Sequence, residues 1–474
     1  MERKDFDAVV VGAGPNGLAA AIHLQRQGLS VLVIEGKNRI GGGLATEELT
    51  LPGFLHDTCS AIHPLAAASP FFRELPLEEH GLQWIYPPVE AAHPFDNGEA
   101  TALMRSVTET ANLLGDPGYE RLLQPLARQW PGLLPDILAP LHFPRHPLNM
   151  AAFGLHGLRS AQALAGRFAT EGSRGLWAGM AAHSMLPLSY CATSAIGLVL
   201  MASGHVSGWP IPKGGSYAIA RALGAYFTSI GGQIELNRYV QSMEQLPSAR
   251  AILLDTSPGQ LLQIAGQQVS QKEQRQLRKF RYGMGVFKID WALAGPVPFA
   301  NPLCRQAGTV HLGNRFEEIA GSEQFVWRGG HPEKPFVLFA QQSLFDSSRV
   351  PDGRHTGWAY CHVPNGSTTD MTKAIEQQIE RFAPGFKERI LAKHTINAVE
   401  MEERNPNYVG GDINGGAAML SQLFTRPALR FTPYRTSVRG VYLCSASTPP
   451  GGGVHGMCGY HAAKRVLKEI FNRD

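Results

Sequence analysis

The sequence predicts an α/β fold in two parts, one built on a parallel sheet and the other on an antiparallel sheet with helices. Three observations point there. The chain opens with an apolar strand, a glycine turn, a helix, a second strand and an acid in immediate succession. Glycine pairs bracketing an amphipathic helix recur between Trp209 and Val240, and a bare glycine turn leads into a last helix near the C-terminus. Between these pieces, short alternating apolar runs bounded by Gly and Pro read as strands of a second sheet. At 474 residues the chain exceeds one ordinary core, so two domains are expected.

Composition narrows the function. Hydrophobic residues make up 44% and charged residues 17%, which leaves ample interior for a globular protein. The net charge of +4 is dilute, with no lysine- or arginine-rich block, so nucleic acid is not an expected partner. The six cysteines are scattered without a CxxC pair, as in reduced thiols. Together with an N-terminus that enters a strand almost at once, they give a cytoplasmic expectation. The longest uncharged stretch, Met185–Trp209, is broken by Pro187, His205 and several small polar residues. It reads as a buried helix rather than a span, leaving peripheral membrane contact open.

The N-terminal stretch "FDAVVVGAGPNGLAAAIHLQRQGLSVLVIEG" carries the clearest chemistry. Strand Phe6–Val11 delivers Gly12, Gly14 and Gly17 as G-x-G-x-x-G, with Pro15 and Asn16 between them, and the helix stops at Gly28. The second strand ends at Glu35, followed by Gly36 and Lys37. Gly14 lets a pyrophosphate approach the backbone, and Gly17 lets the helix pack on its strand. The helix N-terminus offers unpaired N–H groups and positive dipole to the phosphates. Glu35 is placed for ribose hydroxyls, and its charge disfavours a 2′-phosphate. This is a Rossmann-like dinucleotide-binding unit.

Four segments together resemble the FAD superfamily of amine oxidases and phytoene desaturases. "EGKNRIGGGLATEELTLPGFLHD" resembles the glycine-pair segment after the ribose acid, with Gly41, Gly42, Thr46, Gly53, Phe54 and Asp57 at the family positions. Gly43 stands where the family often has Arg, beside Leu44. "WPIPKGGSYAIARALGAYFTSIGGQIELNRYV" resembles the middle segment, and the resemblance sets Val240 against the adenine. "CSASTPPGGGVHGMCGYHAA" resembles the last one, through Thr448, Pro450, Gly451, Gly453, Val454, Gly456 and Gly459, with Ser445 where glycine is common. The phytoene dehydrogenase-like flavoproteins fit best, on a branch with animal members that shares "NPNYVGGDI", Asn405–Ile413.

The resemblance implies a glutathione-reductase-type fold, FAD as cofactor and a discontinuous FAD-binding domain of residues 1–66, 207–271 and 405–474. Residues 67–206 and 272–404 are then the substrate-binding domain, the first of these mostly helical and the second carrying strands in "GMGVFKIDWALAGPVPF", "PFVLFAQQSLF" and "TGWAYCHVP". The implied activity is dehydrogenation of a hydrophobic, polyene- or lipid-like molecule by hydride transfer to flavin N5. Rival readings are an amine oxidase, a double-bond isomerase and a flavoprotein that only binds partners. With no second GxGxxG unit, the electron acceptor is expected to be oxygen or a quinone. Two histidines are candidates for the chemistry, His455 in the closing turn and His183 in "AAHSMLPL". His205, Tyr360, His362 and His461 read more readily as satisfied structural side chains. No metal-ligand spacing occurs.

Overall fold

The computed structural model describes residues 5–473, so the outermost ends of the two terminal segments, 1–4 and 474, lie outside the described residues. Strand Phe6–Val11 is the centre of a five-stranded parallel sheet. On one side it pairs with Val31–Ile34 and then Gln233–Glu235, and on the other with Ala249–Leu254 and then Val441–Leu443. Pairing Val11 with both Ile34 and Leu254 brings three strand ends level, which sets Gly12, Glu35 and Asp255 side by side. In a parallel sheet that edge is where a ligand crevice forms.

Helices cover the sheet. Pro15–Arg26 returns from the first strand, and it packs against both Tyr217–Ser229 and the C-terminal helix Met457–Ile470. The last contact is backbone on backbone. A Cβ on Gly459 would fall 1.8 Å from the carbonyl oxygen of Asn16, so only glycine lets the two helices meet there. The first and last pieces of the sequence are thus wedded at the same sheet edge.

A seven-stranded sheet forms the second layer, ordered Ile390–Ile396, Gly285–Leu293, His355–Val363, Val337–Ala340, Ala307–Leu312, Val89–Pro94, Ala100–Leu103. All neighbours are antiparallel except Ala307–Leu312 with Val89–Pro94. The three strands expected from alternation are present. The hairpin Val89–Leu103 adds two strands to the otherwise mostly helical residues 67–206. Val89–Pro94 is buried on both faces, so it lacks alternation, and the turn signal Asn97-Gly98 between its arms is what marks the hairpin.

The rest of that segment is helical and caps the sheet, with Pro117–Ile137, Pro147–Gly157, Glu171–Ala182 and Thr193–Val206 its main members. The uncharged stretch around Thr193–Val206 is a largely buried helix of 14 residues. No helix among the described residues is long and apolar enough to cross a membrane.

Candidate functional site

A single cavity of about 600 Å³ runs from the level strand ends to the inner face of the seven-stranded sheet. Its volume lies in the range of small-molecule and cofactor sites. At the parallel sheet the wall is Val11, Gly12, Gly14, Pro15, Asn16, Glu35, Gly36, Lys37, Gly42, Gly43 and Leu44. The Glu35 carboxylate is held from two sides, accepting from the Ala13 N–H at 2.8 Å and from the Lys37 N–H at 3.0 Å. Gly42 lies against Gly14, where a Cβ would sit 3.2 Å from the Gly14 Cα. Gly17 and Gly41 stand behind this wall. Gly17 donates its N–H to Asp255 Oδ2 at 2.9 Å, and Gly41 donates to the Ala13 carbonyl at 2.8 Å.

Tyr239, Val240, Thr256, Gln260 and Ile264 close one end, and Ser445, Gly452, Gly453 and Val454 border the other reach of the cavity. The sequence Asn405–Gly416 forms a third wall. Buried Asp412 pins it, accepting from the N–H groups of Gly283 at 2.6 Å, Asn414 at 2.9 Å and Gly416 at 3.0 Å. From this wall Asn407 donates to the Asp255 carbonyl at 2.9 Å. Tyr408 brings its hydroxyl to within 2.0 Å of where a Gly43 Cβ would stand. The family's Arg after the glycine pair has no room here. A buried cation comes instead from Arg426, which donates to the carbonyls of Gly415 and Gly416 at 3.2 and 3.0 Å and lines the cavity.

These residues fit a dinucleotide. Asn16 Oδ1, Thr256 Oγ1, Asn407 Oδ1 and Arg426 Nε are buried on cavity-lining residues without a hydrogen-bond partner among the described residues. Unpaired buried polar atoms are costly, and a ligand rich in phosphate, ribose and ring heteroatoms would satisfy them.

The two candidate histidines part company. His183 lines the cavity, with Ser184, at the end of helix Glu171–Ala182. His455 is not on the cavity wall. It is fully buried, its Nδ1 accepts the Met457 N–H at 3.0 Å, and its carbonyl takes the Ser69 hydroxyl at 2.6 Å. Burial lowers its pKa to about 4, so the ring is neutral, and its place is that of a clasp on the turn before the last helix. Of the other residues considered, Tyr360 lines the cavity. His362 is turned to Glu323 at 2.7 Å, His205 to the Tyr119 hydroxyl at 2.8 Å and His461 to the Leu138 carbonyl at 3.0 Å.

The far wall is made by sheet register. Thr309, Ala340 and Trp358 stand in one row across three strands, and His311, Leu338 and Tyr360 in the next. Period-two alternation sends both rows to the same face. Helix Thr193–Val206 faces them with Ile196, Val199 and Leu200, and Trp209 adds an aromatic edge. Asp255, Arg426 and Trp358 line the site and were passed over by motif reading, and Tyr408 lay in "NPNYVGGDI" with no role assigned. Asp255 had a signal, an acid ending an apolar strand just as Glu35 does.

The NAD(P)-binding Rossmann-like domain family matches residues 10–75. A mouse protein, pyridine nucleotide-disulfide oxidoreductase domain-containing protein 2, is 26% identical over 99% of this chain and 94% of its own. The lycopene-forming phytoene desaturase of a Paracoccus strain is 23% identical over 95% of each. Among solved structures, an oxidoreductase from Methanosarcina mazei superposes with a TM-score of 0.66 at 14% identity, over 98% of this chain and 100% of that one. Fold, cradle and relatives define an FAD-dependent oxidoreductase. Over nearly its whole length the chain is similar to that mouse protein and to the phytoene desaturases.

Proposed function

We propose that this chain dehydrogenates an uncharged, hydrophobic small molecule, with hydride passing from substrate to the flavin. One observation carries the reading: every charged residue on the cavity wall belongs to the dinucleotide side. Glu35, Lys37, Arg238, Asp255, Glu403 and Arg426 are those residues. The wall formed by Ile196, Val199, Leu200, Leu338, Trp358 and Tyr360 has no charge on it. A protonated amine would find no carboxylate there, which sets this reading above an amine oxidase.

When bound, FAD supplies the hydride acceptor at its ring N5. The protein holds, orients and dries the reactants. Leu338, Trp358 and Tyr360 give the substrate a rigid apolar floor, and burial of its apolar surface contributes about 25 cal/mol per Å². Backbone N–H groups of the turn before helix Met457–Ile470, with that helix's positive end, favour negative charge beside Gly453 and Val454. As donors fixed before reaction, they need no reorganisation as charge develops.

Contact with a lipid surface belongs to the same reading. Helix Pro147–Gly157 packs on the cavity-lining helix Thr193–Val206 while leaving Leu148 85% and Leu155 69% exposed. The test is anaerobic loss of the flavin absorbance in FAD-loaded protein challenged with polyenes, terpenes, long-chain alcohols and amines. The reading expects bleaching by an uncharged apolar compound; bleaching by amines alone would overturn it.

A further inference from the structure

Besides the Tyr360 hydroxyl, three polar groups interrupt the apolar wall, and the dinucleotide does not account for them. His183 and Ser184 follow helix Glu171–Ala182, and Thr309 lies in the sheet row that includes Trp358. All three line the cavity. Ser184 and Thr309 are 2% and 4% exposed, and neither hydroxyl has a hydrogen-bond partner among the described residues. Leaving two hydroxyls unpaired beside an apolar chamber costs stability that a Val or Ala at either place would not.

His183 is oriented by a second histidine. Its Nε2 lies 3.0 Å from Nε2 of His311, one ring donating and the other accepting. His311 is fully buried, and its Nδ1 has no partner among the described residues. That atom is pressed to helix Glu171–Ala182, where a Gly179 Cβ would stand 2.6 Å away. A buried N–H without an acceptor is rarer and costlier than a bare ring nitrogen, so the His311 proton belongs on Nε2, in the bond to His183. His183 then accepts at Nε2 and carries its own proton on Nδ1, which has no hydrogen-bond partner among the described residues. Burial holds both rings neutral, lowering His183 to about 3 and His311 well below its ordinary value. His362 faces His183 and His93 faces His311, and a charge on either would disfavour a proton on the pair.

We infer that His183, Ser184 and Thr309 form a subsite for an uncharged acceptor oxygen on an otherwise apolar substrate. His183 offers an N–H donor and the two hydroxyls offer adaptable partners, so a ketone, aldehyde, ester or alcohol oxygen satisfies them where a hydrocarbon leaves them unpaired. His311 is the positioning residue that sets the His183 tautomer. This inference rests on the chamber being the apolar substrate site.

The test is ligand binding to FAD-loaded protein, read from perturbation of the flavin absorbance and from quenching of tryptophan fluorescence, with decanone and decane as matched probes. Wild type is expected to prefer decanone by about tenfold, the size of one buried hydrogen bond. His183→Phe should abolish the preference while decane binds as before, and Thr309→Val should reduce it. Full flavin content per chain shows that each variant is folded. Equal binding of the two probes by wild type, or a preference that survives in His183→Phe, overturns the subsite and leaves the apolar chamber standing. Failure of both probes to bind wild type overturns the chamber reading, and the subsite falls with it.

Discussion

Gly43 and Tyr408 give the sharpest perturbation of the site. They are 365 positions apart in the chain, yet a Cβ added at Gly43 would stand 2.0 Å from the Tyr408 hydroxyl oxygen and 3.3 Å from the ring carbon bearing it. The first separation is impossible without movement, whereas the second needs a few tenths of an ångström. Gly43→Ala therefore forces either the glycine-pair segment or the Asn405–Gly416 wall outward, and both border the cofactor. Overpacking of this kind costs about 1–3 kcal/mol. Expressed in cofactor affinity, that is a loss of roughly 5- to 150-fold. Removing only the hydroxyl, with Tyr408→Phe, should weaken FAD binding little by itself. In that background Gly43→Ala should cost less than half of what it costs alone. Titration of apoprotein with FAD, followed by quenching of flavin fluorescence, measures all four corners of the cycle. Strictly additive effects would refute the packing of Tyr408 on Gly43.

Other expectations follow from the same geometry. Gly14→Val places a Cβ 2.8 Å from Asp255 Oδ2 and a branched side chain in the pyrophosphate path, so purified protein should be colourless and fail to bind added FAD. His455→Ala should leave turnover per bound flavin unchanged while costing about 1 kcal/mol of unfolding free energy for the lost clasp on Met457, whereas a large fall in turnover would make His455 catalytic. Burial raises the Asp255 carboxyl to about 7 from its ordinary 3.8, against the Gly17 N–H bond. The folded chain then keeps a proton that the unfolded chain has lost, and stability falls as pH rises from about 4 to about 7. Three pH units correspond to about 4 kcal/mol at most. Urea unfolding of apoprotein should show Asp255→Asn gaining on wild type as pH rises through that window, and a constant difference between the two would show Asp255 already ionised.

The cofactor half of the site was largely legible because its chemistry is local. Strand, glycines, helix and Glu35 are contiguous, and each has a backbone reason to be there. The chamber was less legible because it is made by register and not by motif. Trp358 and Thr309 share a wall only because two strands pair Ala340 with both, and nothing in the sequence near either position says so. The hairpin Val89–Leu103 was hidden by burial of both faces of its first strand. Arg426 lies outside any glycine pattern, Tyr408 sits within "NPNYVGGDI" where the motif gave it no role, and the positions of both depend on a wall pinned by buried Asp412. His455 misled because a histidine in a glycine turn looks available, while its Nδ1 is held by the backbone N–H of Met457 and the ring is fully buried.

On the proposed function, the uncharged wall beside the cofactor is where substrate reacts. Ile196 faces that chamber from a helix and is only partly buried, so Ile196→Glu can place a charge on the wall without rebuilding the core. The direct measurement is the stopped-flow rate of anaerobic flavin bleaching by whichever uncharged compound reduces wild type, compared at equal FAD content per chain. A fall of at least about a hundredfold is expected, since an apolar substrate must then be seated against an unpaired carboxylate. An unchanged rate would place the reaction elsewhere and contradict it.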